Sequence, residues 1–130
     1  HLHKTAGISC EVIDIHSTSH PHRELIIESI RKTKKLIIAD TSWQAYGLGA
    51  EVCRWVLEED PHMLEKPAKT IGMAPAPCPT AKSLEDLYYP NLSTLSNDIA
   101  TMITNREDHG IKLPDEKSMA DVYKRFKGPF

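Results

Sequence analysis

The chain contains 130 residues, of which 40% are hydrophobic and 26% are charged, so it is long enough for one domain with a hydrophobic core. A formal net charge of -2 argues against a nucleic-acid-binding or membrane-binding surface. No apolar run approaches the roughly 20 residues that a membrane-spanning helix needs.

The first elements are helical, then β-rich, then helical again. Residues 1–9, HLHKTAGIS, are typical of the end of a helix that is capped by Gly7, and we expect the strand that leads into this helix to lie upstream. Residues 10–15, CEVIDI, form a short β-rich run. Residues 23–33 predict a helix, with an apolar stripe that consists of Leu25, Ile26, Ile27 and Ile30.

The middle of the chain alternates strands with helices. Residues 36–40, LIIAD, have the pattern of a strand that is buried on both faces. Residues 47–60 predict a helix with Val52, Trp55 and Val56 on one side. Residues 69–73, KTIGM, are a third strand candidate.

The prolines of residues 74–81, APAPCPTA, predict an extended connection without a helix. Residues 93–105 then predict a helix, whose inward-facing side chains are Leu95, Ile99, Met102 and Ile103. This order of elements favours an α/β fold with parallel strands and right-handed crossovers. Without its upstream strand the sheet would have an unpaired edge, so we expect a dimer or a higher oligomer.

The last segment, residues 105–130, is a highly charged extension with one short helical pattern. Its apolar residues Met119, Val122, Tyr123 and Phe126 recur at helical spacing. We favour a helix that packs on its own domain over a tail that docks on a partner.

The three cysteines, Cys10, Cys53 and Cys78, are odd in number and widely spaced. They are interpreted as reduced intracellular thiols rather than a disulfide framework. A metal site is the alternative, but the chain has no C-x-x-C motif.

The stretch DTSWQAYGLGAEV, residues 40–52, places two glycines between a strand and a helix. A dinucleotide-binding fingerprint needs a third glycine, where this chain has Val52, and an acidic residue about 20 positions later, which is absent. We therefore interpret Gly47 and Gly49 as packing residues. Glu51 complements the helix dipole, and the aromatic residues Trp43 and Tyr46 beside the turn suit a protein interface.

Three histidines, His16, His20 and His22, fall within seven residues. Loop histidines can converge on Zn²⁺, but no cysteine or carboxylate follows at a matching spacing, so a solvated loop is the favoured interpretation. The loop can still lie near chemistry, because ligands of α/β folds bind at the carboxyl ends of strands. The chain has no G-x-S-x-G motif and no complete catalytic arrangement.

Four stretches in order resemble the C-terminal domain of the transketolase superfamily, above all the β subunit of the E1 component of 2-oxo acid dehydrogenases. They are GISCEVIDI, ELIIESIRKTKKLIIAD, DTSWQAYGLGAEV and PAPCPTAKSLEDLYYPN. The resemblance covers residues 1–104. It implies a three-layer α/β/α fold with a mostly parallel sheet.

The resemblance also implies a function for the domain. The parent enzyme would use thiamine diphosphate and magnesium to decarboxylate a 2-oxo acid, with acyl transfer to lipoamide, in the bacterial cytoplasm or an organelle matrix. This domain would supply no cofactor ligand and would be inactive alone. It would instead contact a second copy, the E1 α-type subunit or preceding domains, and the peripheral subunit-binding domain of E2. The implied contact residues are Trp43, Tyr46, Gly47, Gly49 and Glu51.

The chain departs from the family at one loop. The usual arginine and aspartate are replaced by His16 and Arg23, and we place His16 and His20 on the active-site side. Two alternatives remain open. One is the C-terminal domain of a transketolase or deoxyxylulose-phosphate synthase, whose basic loop would bind a sugar phosphate. The other is a stand-alone nucleotide-binding regulatory module.

Overall fold

The computed structural model describes residues 1–115 and residue 124. These residues form five helices and two strands, in the order α1 Leu2–Ala6, α2 Arg23–Thr33, β1 Ile37–Trp43, α3 Leu48–Glu59, β2 Lys69–Met73, α4 Lys82–Tyr88 and α5 Leu92–Thr104. The chain divides into two compact units, Cys10–Pro90 and His1–Ser9 together with Asn91–Phe130. None of the described helices is both long enough and apolar enough to cross a bilayer.

The sheet of the Cys10–Pro90 unit consists, within the described residues, of β1 and β2 in parallel. Ile37 pairs with Lys69, and the register shifts once before Trp43 pairs with Met73. A parallel pair needs a crossover, which α3 provides. The predicted α/β fold with parallel strands is therefore confirmed.

The core of this unit lies between α2, α3 and the sheet. Ile26, Ile27 and Ile30 of α2 pack against apolar residues of α3, and Ile38 of β1 joins them. The α3 residues of this core are Val52, Trp55 and Val56, as predicted. Leu25 was included in the predicted apolar stripe of α2, but it does not join the core. Its side chain is 52% exposed, because four apolar residues within six positions span more of the helix than its buried face.

Residues 10–15 form no strand in the structure, contrary to the prediction. Their side chains still alternate, since Ile13 and Ile15 pack against the core while Val12 is 88% exposed. The segment is tied to α2 through Glu11, which accepts hydrogen bonds from Ser29 Oγ at 2.7 Å and from Lys32 Nζ. Side-chain contacts thus hold this extended segment without a backbone ladder.

The connection after β2 is non-helical over residues 74–81, as the prolines predict, but it leads into a helix, α4, that was not predicted. The backbone N–H of Ala74 donates to the carbonyl of Tyr88 at 2.8 Å. The Tyr88 hydroxyl lies 3.2 Å from Met73 Sδ. These contacts join the two ends of the connection.

The unit formed by His1–Ser9 and Asn91–Phe130 contains α1 and α5. Helix α1 ends at Gly7 with φ 65°, which confirms the predicted cap. Helix α5 begins at Asn91, whose side chain accepts a hydrogen bond from the Thr94 N–H at 2.8 Å.

One inward position predicted for α5 is wrong. Ile103 is 45% exposed, whereas the small residues Ser96 and Ala100 are buried. The helical period of α5 was predicted correctly. Its buried face, however, is centred nearer to the small residues than the positions of the apolar residues alone indicated. The predicted apolar positions Met119, Val122, Tyr123 and Phe126 lie outside the described residues.

Candidate functional site

The turn between β1 and α3 exposes two aromatic side chains. Trp43 ends β1 with 54% of its surface exposed, and Tyr46 is fully exposed. Tyr46 also has φ 61°, a left-handed conformation that is uncommon for a bulky residue. Such strain persists only where the surrounding structure enforces it.

Two glycines, Gly47 in the turn and Gly72 in β2, allow close backbone contacts at the end of β1. A Cβ atom on Gly47 would lie 2.4 Å from the carbonyl oxygen of Trp43, and one on Gly72 would lie 2.6 Å from that of Ser42. Both contacts are with backbone, which cannot move aside as a flexible side chain would. The turn therefore folds back on the end of β1 in a way that only glycine allows at these two positions.

Gly49 has a different neighbour, the sheet itself. A Cβ on this residue would meet Thr70 Cγ2 at 3.0 Å and Ile38 Cγ2 at 3.5 Å. The first turn of α3 thus lies directly on both strands. The distances around Gly47 and Gly49 agree with the packing interpretation of these glycines.

Glu51 points back onto its own helix. Its carboxylate accepts hydrogen bonds from Arg54 Nε at 2.8 Å and Nη2 at 2.5 Å, and from Trp55 Nε1 at 2.7 Å. These donors, Arg54 first, lower the pKa of Glu51 from an ordinary 4.5 to about 2. Glu51 therefore joins the exposed surface of α3 to the buried Trp55.

The network continues from α3 to α2. Arg54 also donates to Glu58, whose carboxylate lies 3.3 Å from Arg23 Nη2 at the start of α2. Arg31 pairs with Glu59 farther along the two helices. Alternating charges of opposite sign thus run along α3 from Glu51 to its last turn and link this helix to α2.

The histidine loop is exposed and stands apart from this network. His16 Nδ1 lies 3.8 Å from Asp14, with 86% of the His16 side chain exposed. His20 is held within the loop, since its backbone N–H donates to Ser17 Oγ at 3.2 Å and its Nδ1 lies 3.1 Å from Ser19 Oγ. Within residues 1–115, no group of three or more His, Cys, Asp or Glu side chains is arranged to hold a metal ion.

The predicted interface residues are therefore close together, but they differ in what they contact. Trp43 and Tyr46 face solvent, whereas Gly47, Gly49 and Glu51 contact their own chain. No hydrogen bond or ion pair among the described residues joins the histidine loop to the turn.

Sequence reasoning missed Gly72 and Arg54. Gly72 lies in β2, far along the chain from the turn that it contacts, and no local pattern marks it. The spacing of Glu51, Arg54 and Glu58 on one helix could have identified Arg54, because such pairs are neighbours on a helix surface.

Comparison with known proteins gives one family and several relatives. Residues 1–95 match the family described as transketolase, C-terminal domain. The chain is 32% identical over 104 residues to the mitochondrial pyruvate dehydrogenase E1 component subunit beta of Saccharomyces cerevisiae, which covers 79% of this chain and 28% of that protein.

Two further relatives show the same relation. The mitochondrial pyruvate dehydrogenase E1 component subunit beta-2 of Oryza sativa subsp. japonica is 37% identical, over 68% of this chain and 24% of its own length. The pyruvate dehydrogenase E1 component subunit beta of Rickettsia conorii is 35% identical, over 67% and 27%. The chain thus spans about a quarter of the length of the relatives that it matches.

Proposed function

The chain belongs to the transketolase C-terminal domain family, and we propose that it is the C-terminal association domain of an E1 β subunit from a thiamine diphosphate-dependent 2-oxo acid dehydrogenase. Support comes from relatives that are pyruvate dehydrogenase E1 β subunits. The parent reaction would be the oxidative decarboxylation of a 2-oxo acid, with acyl transfer to lipoamide.

The cofactor would be held by other parts of the parent enzyme. Magnesium prefers several oxygen ligands in a defined geometry, and the described residues offer no group of three metal-binding side chains. The residues at the turn do not fit thiamine diphosphate and magnesium, so we assign them no catalytic step.

The observation that carries the association role is the exposed aromatic turn. Trp43 and Tyr46 present apolar surface to solvent, and aromatic residues are enriched at protein interfaces. Gly47 and Gly72 allow the backbone beneath these aromatic residues to approach the end of β1 closely.

The same proposal assigns roles to the remaining parts of the chain. Residues 1–104 form the domain, and residues 105–130 form a charged extension. Gly49 and Glu51 support the contact surface, while His16 and His20 face the active-site side of the parent enzyme. The partners would be a second copy, the E1 α-type subunit and the peripheral subunit-binding domain of E2, in an organelle matrix or the bacterial cytoplasm.

A chimera tests this proposal. The matching C-terminal portion of the yeast relative would be replaced by the full 130-residue chain and co-expressed with the yeast E1 α subunit. We expect light scattering to show a complex with the same number of subunits as the unmodified enzyme. A folded chimera that does not assemble would contradict the proposal.

Matched variants of the chimera localise the contact. The double variant Trp43→Ser/Tyr46→Ser should weaken assembly about tenfold or more. Leu25→Ser is the control, since Leu25 is similarly exposed on α2 and lies outside the turn. Equal effects of the two changes would remove the turn from the proposal.

A further inference from the structure

The residues that follow α5 lie against their own unit. Residues 106–115, which we call the strap, contain no helix or strand, yet the side chains of Ile111 and Leu113 are partly buried. The strap and α5 belong to the same compact unit. A histidine of the strap provides a side-chain contact that joins the two.

This histidine, His109, uses both of its ring nitrogen atoms. Its Nε2 lies 3.2 Å from Oδ1 of Asn97 on α5, and its Nδ1 accepts a hydrogen bond from the backbone N–H of Ile111 at 3.0 Å. Gly110 makes the turn between the ring and that N–H with φ 63°, a conformation that suits glycine. One ring therefore joins α5 to the strap and orients the strap backbone that follows it.

The two contacts determine where the ring proton lies. A backbone N–H can only donate, so Nδ1 of His109 must present its lone pair to Ile111. The single proton of the neutral ring then lies on Nε2, where it points to the oxygen of Asn97, an acceptor. The neutral Nε2–H tautomer satisfies both contacts, whereas the Nδ1–H tautomer and the imidazolium satisfy only one of them.

Protonation of His109 breaks the contact with Ile111. A proton on Nδ1 turns an acceptor into a donor, and this donor would face the backbone N–H, which is also a donor. The imidazolium would then have a neutral partner on each side, the Asn97 amide and the peptide N–H. Histidine is the ordinary side chain whose charge changes between pH 5 and 8, so mild acid is enough to break this contact.

Charged and titratable side chains also lie on the elements of this unit around His109. They are Asp98 on α5, Arg106, Glu107, Asp108 and Lys112 on the strap, and His1, His3 and Lys4 at the start of the chain. Carboxylates favour the charged ring and cations oppose it, so these groups influence the pH at which His109 protonates. A nearby charge does not replace the acceptor that the Ile111 N–H loses, so protonation still breaks the contact.

A second histidine of this unit responds to acid in the opposite way. Nε2 of His1 lies 2.7 Å from the carbonyl oxygen of Lys112, so His1 is the donor of this hydrogen bond. The imidazolium form of His1 keeps its Nε2 proton and therefore keeps the bond. Since one histidine contact of the strap survives protonation and the other does not, His1 is a matched control for His109.

We propose that His109 is a pH-sensitive clip, which holds the strap on α5 while its ring is neutral and releases the strap when its ring is protonated. The clip is closed in neutral and weakly basic solution and opens as the pH falls below about 6. This inference rests on the contacts of His109 and does not depend on the role of the aromatic turn.

NMR spectroscopy of the full 130-residue chain between pH 8 and pH 5 tests the clip. At pH 8, long-range ¹H–¹⁵N spectra should show the Nε2–H tautomer of His109. The hydrogen-exchange protection of the Ile111 amide, corrected for the intrinsic pH dependence of exchange, should fall by about tenfold or more towards pH 5. The amide of Ala100, within α5, should stay protected.

Three variants separate the clip from a merely structural contact. His109→Ala should remove the protection of the Ile111 amide at every pH. Asn97→Asp should move the opening to higher pH, because a carboxylate favours the charged ring. His1→Ala should leave the pH dependence at Ile111 unchanged.

Several outcomes would overturn the proposal. One is an Nδ1–H tautomer of His109 at pH 8. Others are equal protection of the Ile111 amide at pH 8 and pH 5, a pH dependence that persists in His109→Ala, or an equal loss of protection at Ala100, which would indicate general unfolding.

Discussion

The Trp55 indole N–H donates a hydrogen bond to the Glu51 carboxylate at 2.7 Å, one turn earlier in α3. Trp55 is buried in the core, and the same carboxylate also accepts hydrogen bonds from the Arg54 guanidinium. One carboxylate therefore joins the core, the helix surface and the beginning of the helix that follows the aromatic turn.

The Glu51 interactions predict a specific loss of stability in acid. Because the pKa of Glu51 is about 2 in the folded chain and ordinarily 4.5, its contribution is complete above about pH 4.5 and is lost as the pH falls towards 2. Glu51→Gln should lower the free energy of unfolding at pH 7, and the deficit should shrink below pH 4.5. Urea unfolding at pH 7 and pH 3 measures this, and a deficit that does not change with pH would contradict it.

The glycines of the turn should differ in their tolerance of alanine. Gly47→Ala forces a Cβ to within 2.4 Å of a backbone oxygen, so it should cost about 2 kcal/mol. Gly49→Ala meets only Thr70 Cγ2 at 3.0 Å and gains up to about 1 kcal/mol of helix propensity. The free energy of unfolding of the Gly49→Ala chain should therefore stay within about 1 kcal/mol of that of the original chain.

A double-mutant cycle tests whether contact with Thr70 limits the stability of the Gly49→Ala chain. Thr70→Ser removes the Cγ2 atom, so Gly49→Ala should be more favourable in that background. Denaturant unfolding of the four proteins gives the coupling. A coupling of zero would show that the Thr70 contact does not limit this position.

We expect a substitution of Tyr46 to change the stability of the chain and its association in opposite directions. Its left-handed φ of 61° costs roughly 1–2 kcal/mol for an ordinary residue, and its exposed ring contributes no packing within the described chain. Tyr46→Asn should therefore raise the melting temperature while it weakens association. Lys34→Asn, at φ 59°, is the matched control and should raise stability without changing association.

The three thiols should react in a fixed order. Burial raises the pKa of Cys53, whereas Cys10 and Cys78 are exposed. Since the thiolate is the reactive form, Cys53 should be alkylated last in the native chain at pH 8. Mass spectrometry of iodoacetamide-treated protein measures the order, and early labelling of Cys53 would contradict the described packing of α3.

Much of the fold could be predicted because its pattern is local. The bounds of α2 and β2 follow from apolar spacing alone, and they match residues 23–33 and 69–73. The prediction for β1 ended at Asp40, although the strand continues to Trp43, because Thr41 and Ser42 break the apolar run. Residues 10–15 were expected to form a strand because they are rich in β-forming residues, but β propensity does not reveal whether a backbone ladder forms.

The candidate site was predictable only in part. The strand–glycine–helix order located the turn, and the aromatic residues beside it were visible in the sequence. The contact of Gly72 with Ser42 joins segments that are distant in sequence. No periodicity in either segment records such a contact.

We infer that the aromatic turn is a subunit-contact surface. Sedimentation velocity of the full chain, at concentrations from about 1 to 100 µM, tests this claim most directly. We predict a dimer or a higher oligomer at the upper concentrations, and a shift of Trp43→Ser/Tyr46→Ser to the monomer while Leu25→Ser still associates. A folded chain that stays monomeric across this range, or an oligomer that both sets of changes leave intact, would contradict the claim.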